Sequence, residues 1–557
     1  MNNNALVAKL WKMCDTLRDG GVSYQNYVNE LASLLFLKMC EETEQENDLL
    51  PEGFRWKDLK SKLGLEQHQF YRNMLVQLGA DEHAIVRAIF QNVNTTITQP
   101  AQLSELIASM DRLEWFEGKQ GKSRDDFGDM YEGLLEKNAN ETKSGAGQYF
   151  TPRSLIKTMV KLLDPIAGEV IQDPAAGTAG FLIEADKHIK AATNDLDDLS
   201  DDEQEFQIHK AFVGLELVPE TRRLALMNCL LHDIEGENGG AIRLGNSLGG
   251  DGENLPNANL ILTNPPFGSA AGTNITRKFV NETNNKQLCF MQHIIDALEP
   301  GGRAGVVIPD NVLFEAGVGT EIRKDLMERC SLDAILRLPT GIFYAAGVKT
   351  NVLFFTKGTV KNPKQDTKCT THTWVYDLRT NMPNFGKRTP FGKQHLAPFE
   401  NAIATLKAKK WAQPTAQPKD VKGSLQWLAQ TVTQTVKDKA VQKDVFSLAD
   451  FALCEEGTER TLENSRLQCF SRDYIRDTKS DSLDISWLKD KDSIDAADLP
   501  EPDVLAAEAM SELTEALREL DCLMTALGAT DQAKIQKDLL ADVLGFADTA
   551  AEEQGAN

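Results

Sequence analysis

The chain has 557 residues, 41% of them hydrophobic and 26% charged, which leaves room for several buried cores and excludes a disordered or fibrous protein. With 60 basic against 83 acidic side chains the formal net charge is −23, so most of the surface repels DNA or RNA, and a nucleic-acid substrate needs a local basic patch or another subunit to hold it. No apolar run reaches the roughly eighteen residues of a membrane span, and the nine cysteines form no C-x-x-C pair and share no ligand-like spacing with the eight histidines, so they read as reduced thiols with no metal site.

The pattern begins helical. MNNNALVAKLWKMCDTLRDG (1–20) sets Leu6, Leu10, Cys14 and Leu17 at helical spacing, an amphipathic helix rather than a signal peptide, and this predicts a cytoplasmic protein. LASLLFLKMCEE (31–42) and DDFGDMYEGLLEK (125–137) each put an apolar face on a helix, so residues 1–143 are read as a helical N-terminal domain. NANETKSGAGQYFTPRS (138–154) breaks the periodicity with glycines and polar residues and is read as a boundary loop.

Short apolar runs then alternate with helical segments: EVIQDP (169–174), AFVGLEL (211–217), NLILTNPP (259–266), AGVVIPD (304–310), DAILRLP (333–339) and NVLFFTKG (351–358). Between them lie helix candidates such as AGFLIEADKHIKAA and NKQLCFMQHIIDALEPGG, the second ending in a glycine stop. This alternation predicts a mainly parallel α/β sheet within 144–400. After about residue 360 the sheet signal fades, and QPTAQPKD (413–420) reads as a linker. Leu513, Leu517, Leu520, Leu539 and Val543 return to helical spacing, so 401–557 is read as a helical region for subunit contacts. Residues 491–557 hold 16 acidic and 4 basic side chains, which suits a protein contact or a solvated element and not a DNA arm.

Four stretches carry chemistry. IQDPAAGTAGF (171–181) follows a strand and opens a helix, with Asp173 at the strand end and Gly177 and Gly180 letting the backbone approach a ligand; its plainer reading is a tight turn. Glu216 ends the next strand, where a carboxylate can accept from both hydroxyls of a ribose, though a strand-end Glu is often just solvated. Asn246, in RLGNSL, could pair with the edge of an adenine or merely form a turn. Asn264, Pro265, Pro266 and Phe267 close the strand ILT. An amino group conjugated to a base is a poor nucleophile because its lone pair is delocalised into the ring. Two acceptors, the Asn264 amide oxygen and the Pro265 carbonyl, would favour a more tetrahedral nitrogen that can attack an electrophilic methyl group, with Phe267 stacked on the ring and the prolines keeping the acceptors in place.

GQYFTPR (147–153), DPAAGTAGF (173–181), GLEL (214–217) and NPPF (264–267) together resemble the AdoMet-dependent N6-adenine DNA methyltransferases. Over its whole length the chain resembles the modification (M, HsdM) subunits of type I restriction-modification systems. The resemblance implies a Rossmann-like α/β methyltransferase core with a helical N-terminal domain and a helical C-terminal tail, S-adenosyl-L-methionine as cofactor, and methylation of adenine N6 in DNA. It implies that Gln148, Tyr149, Phe150, Thr151, Pro152 and Arg153 lie against the methionine end of the cofactor. Asp173, Gly177, Thr178, Ala179 and Gly180 would form the turn beneath it, Glu216 would take the ribose and Asn246 the cofactor's adenine. Asn264, Pro265, Pro266 and Phe267 would take the target base, swung out of the duplex. Ala179 stands where many relatives have glycine, and the interval from Asp173 to Glu216 is lengthened by the acidic stretch NDLDDLSDDEQE (194–205).

No stretch reads as a base-reading head. VKNPKQDTK (360–368), LKAKKW (406–411) and RKFVNETNNK (277–286) are basic but short, and read as solvated faces. The resemblance therefore implies that double-stranded DNA is reached through a complex containing a specificity (S) subunit, a second M subunit and, for cleavage, a restriction (R) subunit. Two alternatives stay open at this level. A protein glutamine methyltransferase also places N-P-P after its fourth strand, and an inactive acidic scaffold could keep the fold without the chemistry.

Overall fold

The computed structural model describes residues 7–13, 24–113, 115, 124–141, 150–267, 275–343, 348–359, 369–386, 388–408, 465–488, 510 and 518–519. The chain divides into two compact units, Met1–Leu488 and Lys489–Asn557. The linker expected at 413–420 lies outside the described residues, as does most of the amphipathic pattern of 503–546; Met510, Arg518 and Glu519 are helical.

The helical N-terminal region contains α1 (Tyr24–Glu42), α2 (Gly64–Leu78), α3 (Ala84–Phe90), α4 (Pro100–Asp111) and α5 (Arg124–Glu141). Of the expected first helix only 7–13 is described, with Val7 and Leu10 buried; Leu6, Cys14 and Leu17 fall outside. The stretch 31–42 does more than present one apolar face, since residues 31–40 of α1 are buried on every side. That burial includes Lys38, whose ammonium lies 2.5 Å from Glu41, 2.9 Å from Glu42 and 3.1 Å from Asp111, so its charge is compensated.

The second part is one nine-stranded sheet: β1 (Ile171–Asp173), β2 (Phe212–Glu216), β3 (Ile242–Leu244), β4 (Ala258–Thr263), β5 (Leu298–Pro309), β6 (Cys330–Arg337), β7 (Thr350–Lys357), β8 (His372–Asp377) and β9 (Leu467–Ser471). Its order is β3-β2-β1-β4-β5-β7-β6-β8-β9. Strands β1 to β5 are parallel, β7 is antiparallel to both β5 and β6, β8 is parallel to β6 and β9 antiparallel to β8. The six strands named from the sequence are all present, and the sheet is mainly parallel as expected.

Helices cover both faces, as buried parallel strands require. On one side lie α6 (Arg153–Leu163), α7 (Gly180–Ala192), α9 (Pro219–Leu231) and α12 (Lys393–Ala408), with α8 (Asp201–His209) preceding β2; on the other lie α10 (Lys286–Ala297) and α11 (Val318–Arg329). The period of two is explicit in β4. Leu260 and Leu262 join the core beneath α6, and Ile261 joins the one beneath α10. No helix among the described residues is long and apolar enough to cross a membrane.

Three expectations need correction. The sheet does not end near residue 360, because β8, the six-residue run HTWVYD, and β9 extend it; β8 pairs antiparallel with a strand that follows only after a long interval of chain, so the strand-helix alternation that marks β1 to β5 in the sequence is lost. The helix 286–297 stops at Leu298, already extended at φ −69 and ψ 137, not at the glycines. The reason is Pro300, which forces Glu299 out of helical conformation. The boundary loop is also shorter than 138–154, since α5 runs to Glu141 and α6 starts at Arg153.

The helical region meets the sheet domain closely where α5 crosses the end of α9. A Cβ on Gly128 would overlap the His232 ring, which is fully buried. Gly128→Ala is therefore expected to lower unfolding stability by about 1–3 kcal/mol through overpacking. A chemical denaturation curve unchanged in midpoint would show that this contact can open without loss.

Candidate active site

The parallel strands β2, β1 and β4 end side by side, and β1 is where successive crossovers run off in opposite directions. In open α/β sheets ligands bind outside the carboxyl ends of strands at such a switch point. The described candidate site residues lie at this edge, on the strand ends, the loops that follow them, the segment leading into α6 and the first turns of the helices α6 and α7.

The loop after β1 is a cradle of backbone. Gly177 takes φ +54, a backbone conformation that favours glycine, and the place its Cβ would occupy is open space with no atom within 4 Å. Ala179 caps α7 at φ +66 and is fully buried. An L-residue there costs about 1 kcal/mol or more, so the loop keeps the conformation that suits glycine even where alanine has replaced it. Asn228, buried on α9, donates its amide to the Thr178 carbonyl at 2.9 Å, and the Ser247 hydroxyl donates to the Pro174 carbonyl. Gly180 faces Ile156 and the guanidinium of Arg153.

Two carboxyl groups flank the cradle. Asp173 accepts from the Ala175 N–H at 3.0 Å. Its burial, with the like charge of Glu216 adding to it, pushes the carboxyl up to about 7, against the pull of the Thr263 hydroxyl and that N–H. Glu216 closes β2: one oxygen accepts from the Gly177 N–H at 2.9 Å and the other from Val218 N–H at 2.9 Å. Burial holds its carboxyl above the usual range despite those bonds. A carboxylate has about four acceptor sites, which leaves capacity for a hydroxyl ligand. Apolar side chains are exposed beside it, Leu217, Val218 and Leu244, the last paired in register with Glu216. The lengthened interval before Glu216 did not displace it. Ser200 and Glu203 form a capping box that turns the acidic stretch into the first turn of α8, where carboxylates favour the helix dipole.

Asn246 sits half-buried on the loop after β3. Its side-chain oxygen accepts from the Leu248 N–H at 3.0 Å, and its own N–H donates to Asp251 at 2.9 Å, so the carboxamide oxygen is engaged in a turn of its own loop.

At the end of β4, Asn264 is half-buried, Pro265 buried and Pro266 exposed. The Asn264 amide nitrogen donates to the Thr151 hydroxyl at 2.9 Å, and Gln287 on α10 donates to the Pro266 carbonyl at 3.2 Å. Phe267 is nearly buried and meets Phe343 edge-on, ring centres 5.7 Å apart. Phe150, Thr151, Pro152 and Arg153 run along the same edge. Pro152 caps α6, its carbonyl accepting from Leu155 and Ile156. Arg153 lies 2.5 Å from Glu132 on α5, which also reaches Lys187. Gln148 and Tyr149 lie outside the described residues.

The structure thus brings Asp173, Gly177, Glu216, Thr151 and Asn264 to one edge, and it ties Arg153 to a carboxylate of the helical region. Sequence reasoning missed the supports Asn228, Ser247, Asp251, Gln287 and Phe343, which act across long sequence separations that no local pattern announces. It also took 277–286 as solvated. Arg277 instead donates to His293 at 2.7 Å, and burial, with the arginine's charge, holds that imidazole down at about 3 and so neutral.

Comparison with known proteins adds three findings. A family described as "N-6 DNA Methylase" matches residues 122–444, "HsdM N-terminal domain" matches 6–110, and "Type I restriction enzyme methylase subunit, C-terminal domain" matches 499–542. The type I restriction enzyme StySPI methylase subunit of Salmonella potsdam is 68% identical over 98% of this chain and 99% of its own, and the EcoKI methylase subunit of Escherichia coli K12 is 66% identical over the same shares. The crystal structure of the EcoKI M protein aligns with a TM-score of 0.53 at 59% identity, covering 97% of this chain and 99% of that one.

Proposed function

The chain belongs to the N-6 DNA methylase family, as a type I restriction enzyme methylase subunit, and on that premise we propose how its residues divide the work. It transfers a methyl group to N6 of adenine in DNA, the mark that protects host DNA from restriction, and it works within a complex. A specificity (S) subunit reads the sequence, a second M subunit acts beside this one, and a restriction (R) subunit joins for cleavage. We assign the complex to the cytoplasm, where its DNA substrate lies, and assign 1–143 to the helical region, 144–400 together with the sheet strand β9 to the catalytic region, and the remainder of 401–557 to subunit contacts.

When bound, S-adenosyl-L-methionine supplies an electrophilic methyl group on a sulfonium. The residues present fit it: the open space at Gly177 would let a ligand approach the backbone, the Glu216 carboxylate keeps acceptor capacity for a diol, and the exposed Leu217, Val218 and Leu244 would offer apolar surface to a base. Asp173 and residues 177–180 hold the turn, 148–153 line the methionine end, and Asn246 closes the adenine side. Asn264 and Pro265 accept the two hydrogens of the target amino group as its nitrogen turns tetrahedral. Phe267 meets the base after it leaves the stack, which requires its packing on Phe343 to expose one face.

The observation that carries this reading is the placement of the Asn264 amide at the end of β4, one strand from the cradle after β1. The test is transfer of labelled methyl from S-adenosylmethionine by the complex isolated through this chain, followed by nucleoside analysis. Label is expected in N6-methyladenine. Label in protein, or none despite bound cofactor, would overturn the assignment.

A further inference from the structure

We infer that Thr151 is a positioning residue for methyl transfer, its hydroxyl fixing where the Asn264 carboxamide stands before the target amino group. The inference rests on the proposed role of Asn264 and goes beyond the cofactor contact that the resemblance implies for Thr151.

The oxygen and nitrogen of a carboxamide lie on opposite sides of its carbon. The Asn264 nitrogen donates to Thr151 Oγ at 2.9 Å, so the oxygen is turned the other way. Rotating the amide by half a turn costs little in shape, yet it would present N–H donors to an amino group that is itself a donor. That arrangement repels where catalysis needs attraction. A threonine hydroxyl can accept or donate, so what Thr151 fixes is the place and plane of the carboxamide, and the N–H donors of the target amino group then favour the orientation that turns the oxygen toward them.

Thr151 is fixed in this sense. It is buried, and the next residue, Pro152, is held at φ −55 as the cap of α6 with its carbonyl bonded to Leu155 and Ile156 N–H. One residue further, Arg153 pairs with Glu132 of α5, anchoring the strap from the side of the helical region. The 113 residues separating Thr151 from Asn264 are bridged by this one side-chain bond. A misplacement of about 1 Å in such a constellation can cost about a hundredfold in rate.

The test is a double-mutant cycle in the complete complex with its DNA-reading subunit: Thr151→Val and Thr151→Ser, each alone and combined with Asn264→Ala. Single-turnover label transfer and equilibrium binding of S-adenosylmethionine are the two readings. With cofactor saturating, Thr151→Val is expected to slow transfer about 10- to 100-fold, a larger factor than the affinity it loses as a residue lining the methionine end, and Thr151→Ser to restore the rate. In the Asn264→Ala background Thr151→Val is expected to subtract nothing more, because its effect runs through the missing amide. Affinity falling in step with rate, the same factor lost in both backgrounds, or no change in rate would each overturn the inference. Thr151→Ala, judged by the same criteria, takes the place of the valine variant if that one fails to fold. A native complex that labels protein instead of DNA refutes the substrate reading alone, and the same cycle read on that product still decides Thr151.

Discussion

Asn264→Ala is expected to lower methyl transfer about 10²- to 10³-fold or more while S-adenosylmethionine binds within about threefold of the native affinity. The separation follows from where the groups sit. The cradle proposed to receive the cofactor is built from the loops after β1 and β2, held by Glu216, Asn228 and Ser247. Asn264 belongs to the loop after β4, where its amide nitrogen donates to Thr151. Its oxygen acts on charge that develops only as the amino group turns tetrahedral, so removing it leaves ground-state binding of the cofactor largely intact and raises the barrier. Calorimetric titration of S-adenosylmethionine, set beside single-turnover transfer to DNA, separates the two quantities. Equal loss of both would mean that the β4 loop shapes the cofactor site, and the division of roles would fail. Thermal unfolding of the variant guards against a trivial loss of folding.

How far this site could be read without coordinates depends on which bonds are local. Residues 171–181, Glu216 and 264–267 were legible because strand-end loops in parallel sheets carry their chemistry in short contiguous runs, and the apolar runs before them fixed where the strands end. β8 and β9 were not legible: they lie 89 or more residues apart along the chain at the side of the sheet away from the cradle, so no local strand-helix alternation joins them to the rest of the sheet. The glycine stop at 301–302 misled for a different reason. A proline two residues past the last turn ends a helix as firmly as glycine does, and it acts earlier in the chain. The links from Thr151 to Asn264, from Gln287 to Pro266 and from Asn228 to Thr178 join residues that are 113, 21 and 50 positions apart, and side-chain pairing at such separations leaves no trace in one sequence. Arg153 illustrates the same limit from the other side. Its motif pointed at the cofactor, whereas the partner it has is Glu132 on a helix of the N-terminal region, so the strap that carries Thr151 is tied to that region as well.

Asp173→Asn should make the unfolding stability of this subunit less sensitive to pH, the difference from the native chain opening from about pH 4 and levelling off above about pH 7. Burial, with Glu216 close by, raises the Asp173 carboxyl from 3.8 to about 7. Between those values the folded chain holds a proton that the unfolded chain has released. The stability this group contributes is therefore complete below about pH 4 and is lost as pH rises through 7. At about 1.4 kcal/mol per pH unit the loss is on the order of 4 kcal/mol, against which asparagine, uncharged throughout, loses nothing. Asparagine also keeps the oxygen that accepts from Ala175 N–H, so the loop after β1 retains its local bond. Urea unfolding of native and variant chains at several pH values gives the result as a difference, in which the titration of all other groups cancels. Parallel curves would show that Asp173 is ionised well below neutrality in the folded chain, with water reaching it from the cradle. In the cofactor role proposed for Asp173, a bound cation favours its charged form, so the native affinity for S-adenosylmethionine is expected to rise as pH climbs through 7 while that of Asp173→Asn stays flat. The buried carboxyl would then destabilise the empty subunit under the same conditions in which it strengthens binding, and the two curves, stability falling and affinity rising, should bend at the same pH.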